Sequence, residues 1–249
     1  MDDPLESPRY MLARAEHHII DFSRQTDAFF TSHPYSEVTE RDPNTRKNLH
    51  KIKFTERLPV MLNGIASDAI LNMRAALDQA GYIAAGSKGR DTHFPFGDTP
   101  AEVKSRQAGG SRDIPDAIFT VMESFQPYFR PDDLLWCLNK LSNANKHRLI
   151  VPTAIVAPSG RITGKFKHSG KFALLSPKWD RAKNEILFAQ SSGDTEGEAD
   201  VNLQFFIAFG EVEFVARHPA TGVLNTMANK VKDVLTAVEA EGRRTGLFK

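Results

Sequence analysis

The chain has 249 residues, and its 32 Lys and Arg against 31 Asp and Glu leave a net charge of +1. That balance supplies no general field for gathering nucleic acid or an anionic membrane, so any such partner must meet a local patch. Hydrophobic residues at 41% and charged residues at 25% exclude wholesale disorder, and the length allows one large domain or two small ones.

The first element is a helix over 7–31, "SPRYMLARAEHHIIDFSRQTDAFF", with Met11, Ala15, Ile19, Phe22 and Phe29 at helical spacing. Ser7 followed by Pro8 predicts its start, because the missing proline N–H costs nothing there. Residues 32–59 read as loop and strand, with "HKIKFTERLPV" alternating apolar and polar until Pro59. The clearest helix is 61–84. It gathers Ile65, Ala69, Met73, Ala76, Leu77 and Ala80 on one side, and Ser67, Asp68, Asn72, Arg74, Asp78 and Gln79 on the other.

A loop, "GSKGRDTHFPFGDTP", leads to a short helix around 99–106 and a Gly-rich break, "AGGSRD". "DIPDAIFTVMESFQPY" predicts a helix with Ile118, Val121, Met122 and Phe125 inward. The next helix runs over 130–148, with Pro131, Asp132 and Asp133 in its first turn. Cys137, the single cysteine, lies there in "LLWCL" and reads as a small buried hydrophobe; one cysteine cannot build a disulfide framework or a multi-cysteine zinc site.

After Pro152 the pattern turns β-rich and predicts an antiparallel meander of five or six strands: "LIVPTAIVAP", "RITGKFKH", "KFALLSP", "NEILFAQ", "VNLQFFIAFG" and "EVEFVARH". "SSGDTEGEAD" reads as a solvated loop, and a helix over about 221–241 closes the chain. The expectation is therefore a single α+β domain over 1–249. It comprises a mainly helical part (1–148), an antiparallel β part (149–218) and a C-terminal helix (219–249). With no signal pattern in "MDDPLESPRY" and no membrane-length apolar run, a cytoplasmic protein with no membrane partner is expected.

The sequence contains no P-loop, dinucleotide, zincin, nucleophile-elbow or calcium-loop signature. Two polar constellations stand out. On the 130–148 helix, Asn139, Asn143 and His147 form one stripe, flanked by Lys140, Lys146 and Arg148. An imidazole among amides and cations suits proton transfer beside a phosphate oxyanion, with His147 as the acid/base group. The same residues also suit a structural cap and network at a helix end. On the 61–84 helix, Asp68, Asn72, Arg74 and Asp78 either pair on a solvated face or meet the Asn143/His147 stripe.

Weaker features are His93 among aromatics, the basic "KFKHSGKF", and Glu16, His17, His18 and Asp21, whose His17/Asp21 pair is too small for a metal site by itself. No metal and no cofactor is called for. The candidate catalytic residues are His147, Asn143 and Arg74. The candidate substrate-binding residues are Lys146, Arg148, Lys140, Asn72 and Asp78.

"RAEHHIIDF", "LNMRAALDQAGYIA", "HFPF", "SFQPY" and "LNKLSNANKHRLIV" together resemble a widespread group of bacterial and phage proteins without assigned activity. These carry an N-x-R-x-ALD-type helix and a later LN-x-x-DKHR-type helix. Asn145 stands here where that pattern usually has Asp. More remotely, the chain is similar to the HEPN superfamily of helical, nucleotide-binding domains, many of them ribonucleases. Their mark is an arginine and a later histidine on one helix with four to six residues between them. The position fitting that spacing before His147 is Lys140, while Arg161 and His168 match it on a strand-like segment. The resemblance implies His147 as the motif histidine, with the arginine's role unfilled or taken by Arg74 or Arg148. It implies a nucleic-acid-directed protein or metal-independent ribonuclease, with RNA or a nucleotide as partner and a homodimer as a conceivable assembly. The competing expectation is a non-enzymatic binding or assembly module in which the Arg/Asp/Asn/His cluster is structural.

Overall fold

The structure is a computed structural model that describes residues 3–86, 91–129, 134–143, 150–156, 162–164, 171–180, 182–192, 199–201, 203–210, 215 and 218–249. Its elements run α1 (Glu6–Thr31), β1 (Tyr35–Arg41), β2 (Asn48–Phe54), α2 (Met61–Ala85), α3 (Pro100–Ser105), α4 (Asp116–Ser124) and α5 (Leu134–Asn143). Strands β3 (Ile150–Val156), β4 (Ile162–Gly164), β5 (Phe172–Asp180), β6 (Glu185–Ser191), β7 (Ala199–Val201) and β8 (Leu203–Phe209) follow, and α6 (Ala220–Arg244) closes the chain. The class is α+β, as the segregated sequence pattern predicts. The chain forms two compact units, one from 1–23, 63–149 and 209–249, the other from 24–62 and 150–208.

The first unit is helical. Its core is built from Leu12, Ala15, Ile19 and Phe22 of α1, Ala69, Ile70, Met73, Ala76, Leu77 and Ala80 of α2, and the Val223 to Val238 face of α6. Helix α6 packs on α4 and α5. Helix α1 begins one residue before the Ser7–Pro8 signal. The Asp3 carboxylate accepts the Leu5 N–H at 2.9 Å and the Asp3 carbonyl accepts the Glu6 N–H at 3.2 Å, which turns the chain into the helix. Ser7 instead donates its hydroxyl to Gln79 on α2 at 2.8 Å. Arg9 bonds Glu239 of α6 at 2.5 Å, tying the first and last helices. The buried side of α2 is wider than its helical projection predicts, since Ser67 is buried while Ile65 is only half-buried.

The second unit contains a four-stranded sheet of order β1-β2-β6-β5, with β3 paired to β8 and β4 to β7. This replaces the expected meander. Strands β1 and β2 form an antiparallel hairpin, and β2 pairs antiparallel with β6. One sheet face is apolar: Ile52, Phe54, Ile186 and Phe188 pack with Phe29, bordered by Tyr35, Phe172 and Trp179. The alternation of "HKIKF" predicts Lys51 on a polar face, yet Lys51 is 7% exposed and Glu185 is 6% exposed. The Lys51 ammonium donates to Glu185 at 2.8 Å and to Glu40 at 2.7 Å. These bonds hold it protonated above its ordinary range. A lysine can be buried there because two carboxylates satisfy it.

Among the described residues no helix is long and apolar enough to cross a membrane.

Candidate functional site: a cationic pocket in the helical unit

Arg74 is the centre of the site. The two polar helix faces read from the sequence meet here: Arg74 Nε donates to Asp78 one turn on at 3.0 Å, and Arg74 Nη1 donates to the Asn139 side-chain oxygen of α5. The guanidinium also lies over the Phe96 ring, 4.2 Å from its centroid. The other Asp78 oxygen accepts the Phe94 N–H at 2.9 Å. Asp78 thus binds a helix side chain and the following loop, which fixes that loop against α2. Asn143 donates to the Asn139 backbone carbonyl at 2.9 Å. Asn72 bonds the Asp68 carbonyl of its own helix at 2.7 Å and plays no part in the arrangement.

The "THFPFG" loop and the "AGGSRD" break form the opposite wall. Thr99 caps α3 by accepting the Glu102 N–H at 3.2 Å, while the Glu102 carboxylate reaches back to the Asp98 N–H at 2.9 Å. A 3-10 turn over Arg106–Ala108 follows, so Arg106 Nε donates to the Phe96 carbonyl at 3.0 Å. The two glycines after it let the chain turn back against His93. The His93 N–H reaches the Gly110 carbonyl at 2.9 Å, and the Ser111 hydroxyl donates to the His93 carbonyl at 2.7 Å. Gly97 is required by packing: a Cβ there would sit 2.8 Å from the Val103 nitrogen.

These walls enclose a pocket of about 290 Å³, lined by Arg74, His93, Phe94, Phe96, Arg106, Gly110, Ser111, Asn139 and Asn143. No carboxylate lines it among the described residues. Arg74 spends Nε and Nη1 on protein partners, whereas the two terminal nitrogens of Arg106 have no acceptor among the described residues. Unspent guanidinium nitrogens facing a carboxylate-free concavity are the donor chemistry that an oxyanion requires.

Of the residues proposed from the sequence, Arg74 and Asn143 line the pocket, with Asp78 holding Arg74 from behind. Lys140 points elsewhere, to Asp98 at 2.8 Å. Lys146, His147 and Arg148 lie outside the described residues, as do Asn145, Pro131, Asp132, Asp133, Arg161 and His168. The lining residues that sequence reasoning missed are Arg106, Gly110 and Ser111. The Gly–Gly–Ser turn is their one visible trace, and it reads equally as an ordinary break. His93, a weaker feature among aromatics in the sequence, is exposed and lines the pocket. Among the described residues no group of three or more His, Cys, Asp or Glu could hold a metal ion, and the His17/Asp21 pair gains no further ligand.

No family model, no curated protein and no solved structure matches this chain.

Proposed function

We propose that this is a cytoplasmic, HEPN-like, nucleic-acid-directed protein whose helical unit takes the phosphate of RNA into the Arg74–Arg106 pocket. The supporting observation is the donor set: two guanidiniums, the Asn139 amide and an imidazole around a concavity with no carboxylate among its described lining. Arg106 offers its terminal nitrogens to a phosphate oxygen pair, for which the guanidinium fork is well shaped. Arg74, already held by Asp78 and Asn139, contributes fixed positive charge.

Metal-independent cleavage is the catalytic form of this proposal. The RNA 2′-hydroxyl attacks phosphorus as its proton passes to one imidazole. The P–O5′ bond breaks and the leaving oxygen takes a proton from a second acid, giving a 2′,3′-cyclic phosphate and a 5′-hydroxyl. His93 lines the pocket, and His147 follows Asn143 by four residues in the chain. These are the two imidazoles offered for the roles.

The second reading is a binding or assembly module, with a homodimer as one form, in which the cluster only ties α2 to α5. The observation favouring it is that Arg74 already has three protein partners.

The test is equilibrium binding and cleavage of a labelled oligoribonucleotide with chelator present. Binding that Arg106→Ala weakens supports the pocket reading, and cleavage that survives chelator supports the ribonuclease form. Absence of binding to any RNA leaves the structural reading.

A further inference from the structure

We infer that Phe129 and Trp136 form a shelf on which a nucleobase stacks, beside the pocket that would hold that nucleotide's phosphate. The inference rests on the pocket reading above and deepens it: the ligand class becomes unpaired nucleotides of a single strand. On α5, Trp136, Asn139, Lys140 and Asn143 recur at helical spacing and so share a face. Asn139 and Asn143 line the pocket. Trp136 lies one turn earlier, about 5.4 Å along the axis, a separation that one nucleotide can span.

The Phe129 ring is 58% exposed and lies 4.8 Å from the Trp136 ring, inclined at 60°. The indole and the Phe129 backbone are both tied to Asp98, and the Phe129 ring rests against the indole. Asp98 accepts the Trp136 indole N–H at 2.7 Å and binds the Lys140 ammonium at 2.8 Å. The Asp98 carbonyl accepts the Phe129 N–H at 3.3 Å. Lys140 lies over the indole, 5.2 Å from the ring centroid, and offsets the Asp98 charge that would otherwise repel a phosphate.

The same loop supplies Phe96 to the pocket and Asp98 to the shelf, so the two sites share one rigid strut. A large aromatic left in water yet fixed in orientation loses little entropy on stacking. The neighbouring donors identify the occupant as a base that carries a phosphate, rather than an apolar peptide.

The experiment measures calorimetric affinities of two probes, ribose 5-phosphate and hexauridylate, for wild type, Phe129→Ala, Phe129→Tyr and Arg106→Ala. Stacking on an aromatic side chain makes the expected loss for Phe129→Ala roughly 5- to 150-fold for hexauridylate relative to ribose 5-phosphate. Phe129→Tyr should restore it. Arg106→Ala should weaken both probes together. If Phe129→Ala shifts both probes equally or neither, the shelf is refuted while the pocket reading stands on the Arg106 result. If wild type binds neither probe, the pocket reading fails and takes the shelf with it. If hexauridylate does not bind and Phe129→Ala turns a dimer into a monomer by sedimentation, the shelf is a chain–chain contact and the inference is overturned.

Discussion

Replacing Arg74 with methionine should destabilise the helical unit far more than a surface charge change would. The side chain keeps 21% exposure and Asp78 keeps 25%, so the pair lies between two regimes. An exposed ion pair is worth about 0–1 kcal/mol, and breaking a buried one costs about 3–5 kcal/mol. Arg74 adds a hydrogen bond to Asn139 and a contact with the Phe96 ring, and a cation–π contact contributes about 0.5–2 kcal/mol. The expected loss is about 2–3 kcal/mol. For a chain of this size each kcal/mol lowers the melting temperature by about 2–4 °C, so circular dichroism should record a fall of roughly 5–10 °C.

Asp78→Asn provides the internal control. An amide at that position still accepts the Phe94 N–H but carries no stranded charge. Combined with Arg74→Met, it should therefore restore about 1 kcal/mol or more. Additive losses, or an Arg74→Met fall under about 2 °C, would refute the clasp and return Arg74 to a solvated face.

Two further predictions concern the rest of the fold. Gly242→Ala should gain about 1 kcal/mol of helix propensity. Its methyl group would overlap the Phe248 ring, which folds back on α6 with its N–H on the Gly242 carbonyl at 3.0 Å. The substitution should therefore destabilise wild type by about 1–2 kcal/mol and stabilise a Phe248→Ala background, as chemical denaturation would show. Glu239 receives hydrogen bonds from Arg9 and then Arg243, which hold its carboxyl below the ordinary 4.5. Its stabilisation is thus complete above that value and lost as pH falls through the lowered one. The stability gap between wild type and Glu239→Gln should be full near neutrality and close in acid; a gap that widens in acid would contradict the assignment.

The helices were legible in the sequence because their information is local. "DAIFTVMES" repeats apolar residues at helical spacing, and the closing helix expected over about 221–241 is α6, Ala220–Arg244. The sheet order was not legible, because β2 joins β6 across more than a hundred residues and no local pattern states which strand edges meet. Lys51 illustrates the same limit. Its burial depends on Glu185, a residue that strand alternation cannot bring to it. In the site, the Arg74–Asp78 pair is visible as an i, i+4 spacing and Asn143 as part of a stripe. Arg106 was hidden because its role depends on a 3-10 turn aiming it at the Phe96 carbonyl, where sequence spacing carries no signal.

The pocket as a phosphate receptor is tested most directly by the salt dependence of oligoribonucleotide binding, measured by fluorescence anisotropy for wild type and Arg106→Gln. Each single-strand phosphate contact contributes about 0.7 to the slope of log K against log salt. Arg106→Gln should therefore bind more weakly, with a slope shallower by about 0.7 and a melting temperature close to wild type, since Arg106 is exposed and its side chain makes one hydrogen bond. An unchanged affinity and an unchanged slope would contradict the account and leave the cluster as a clasp between two helices.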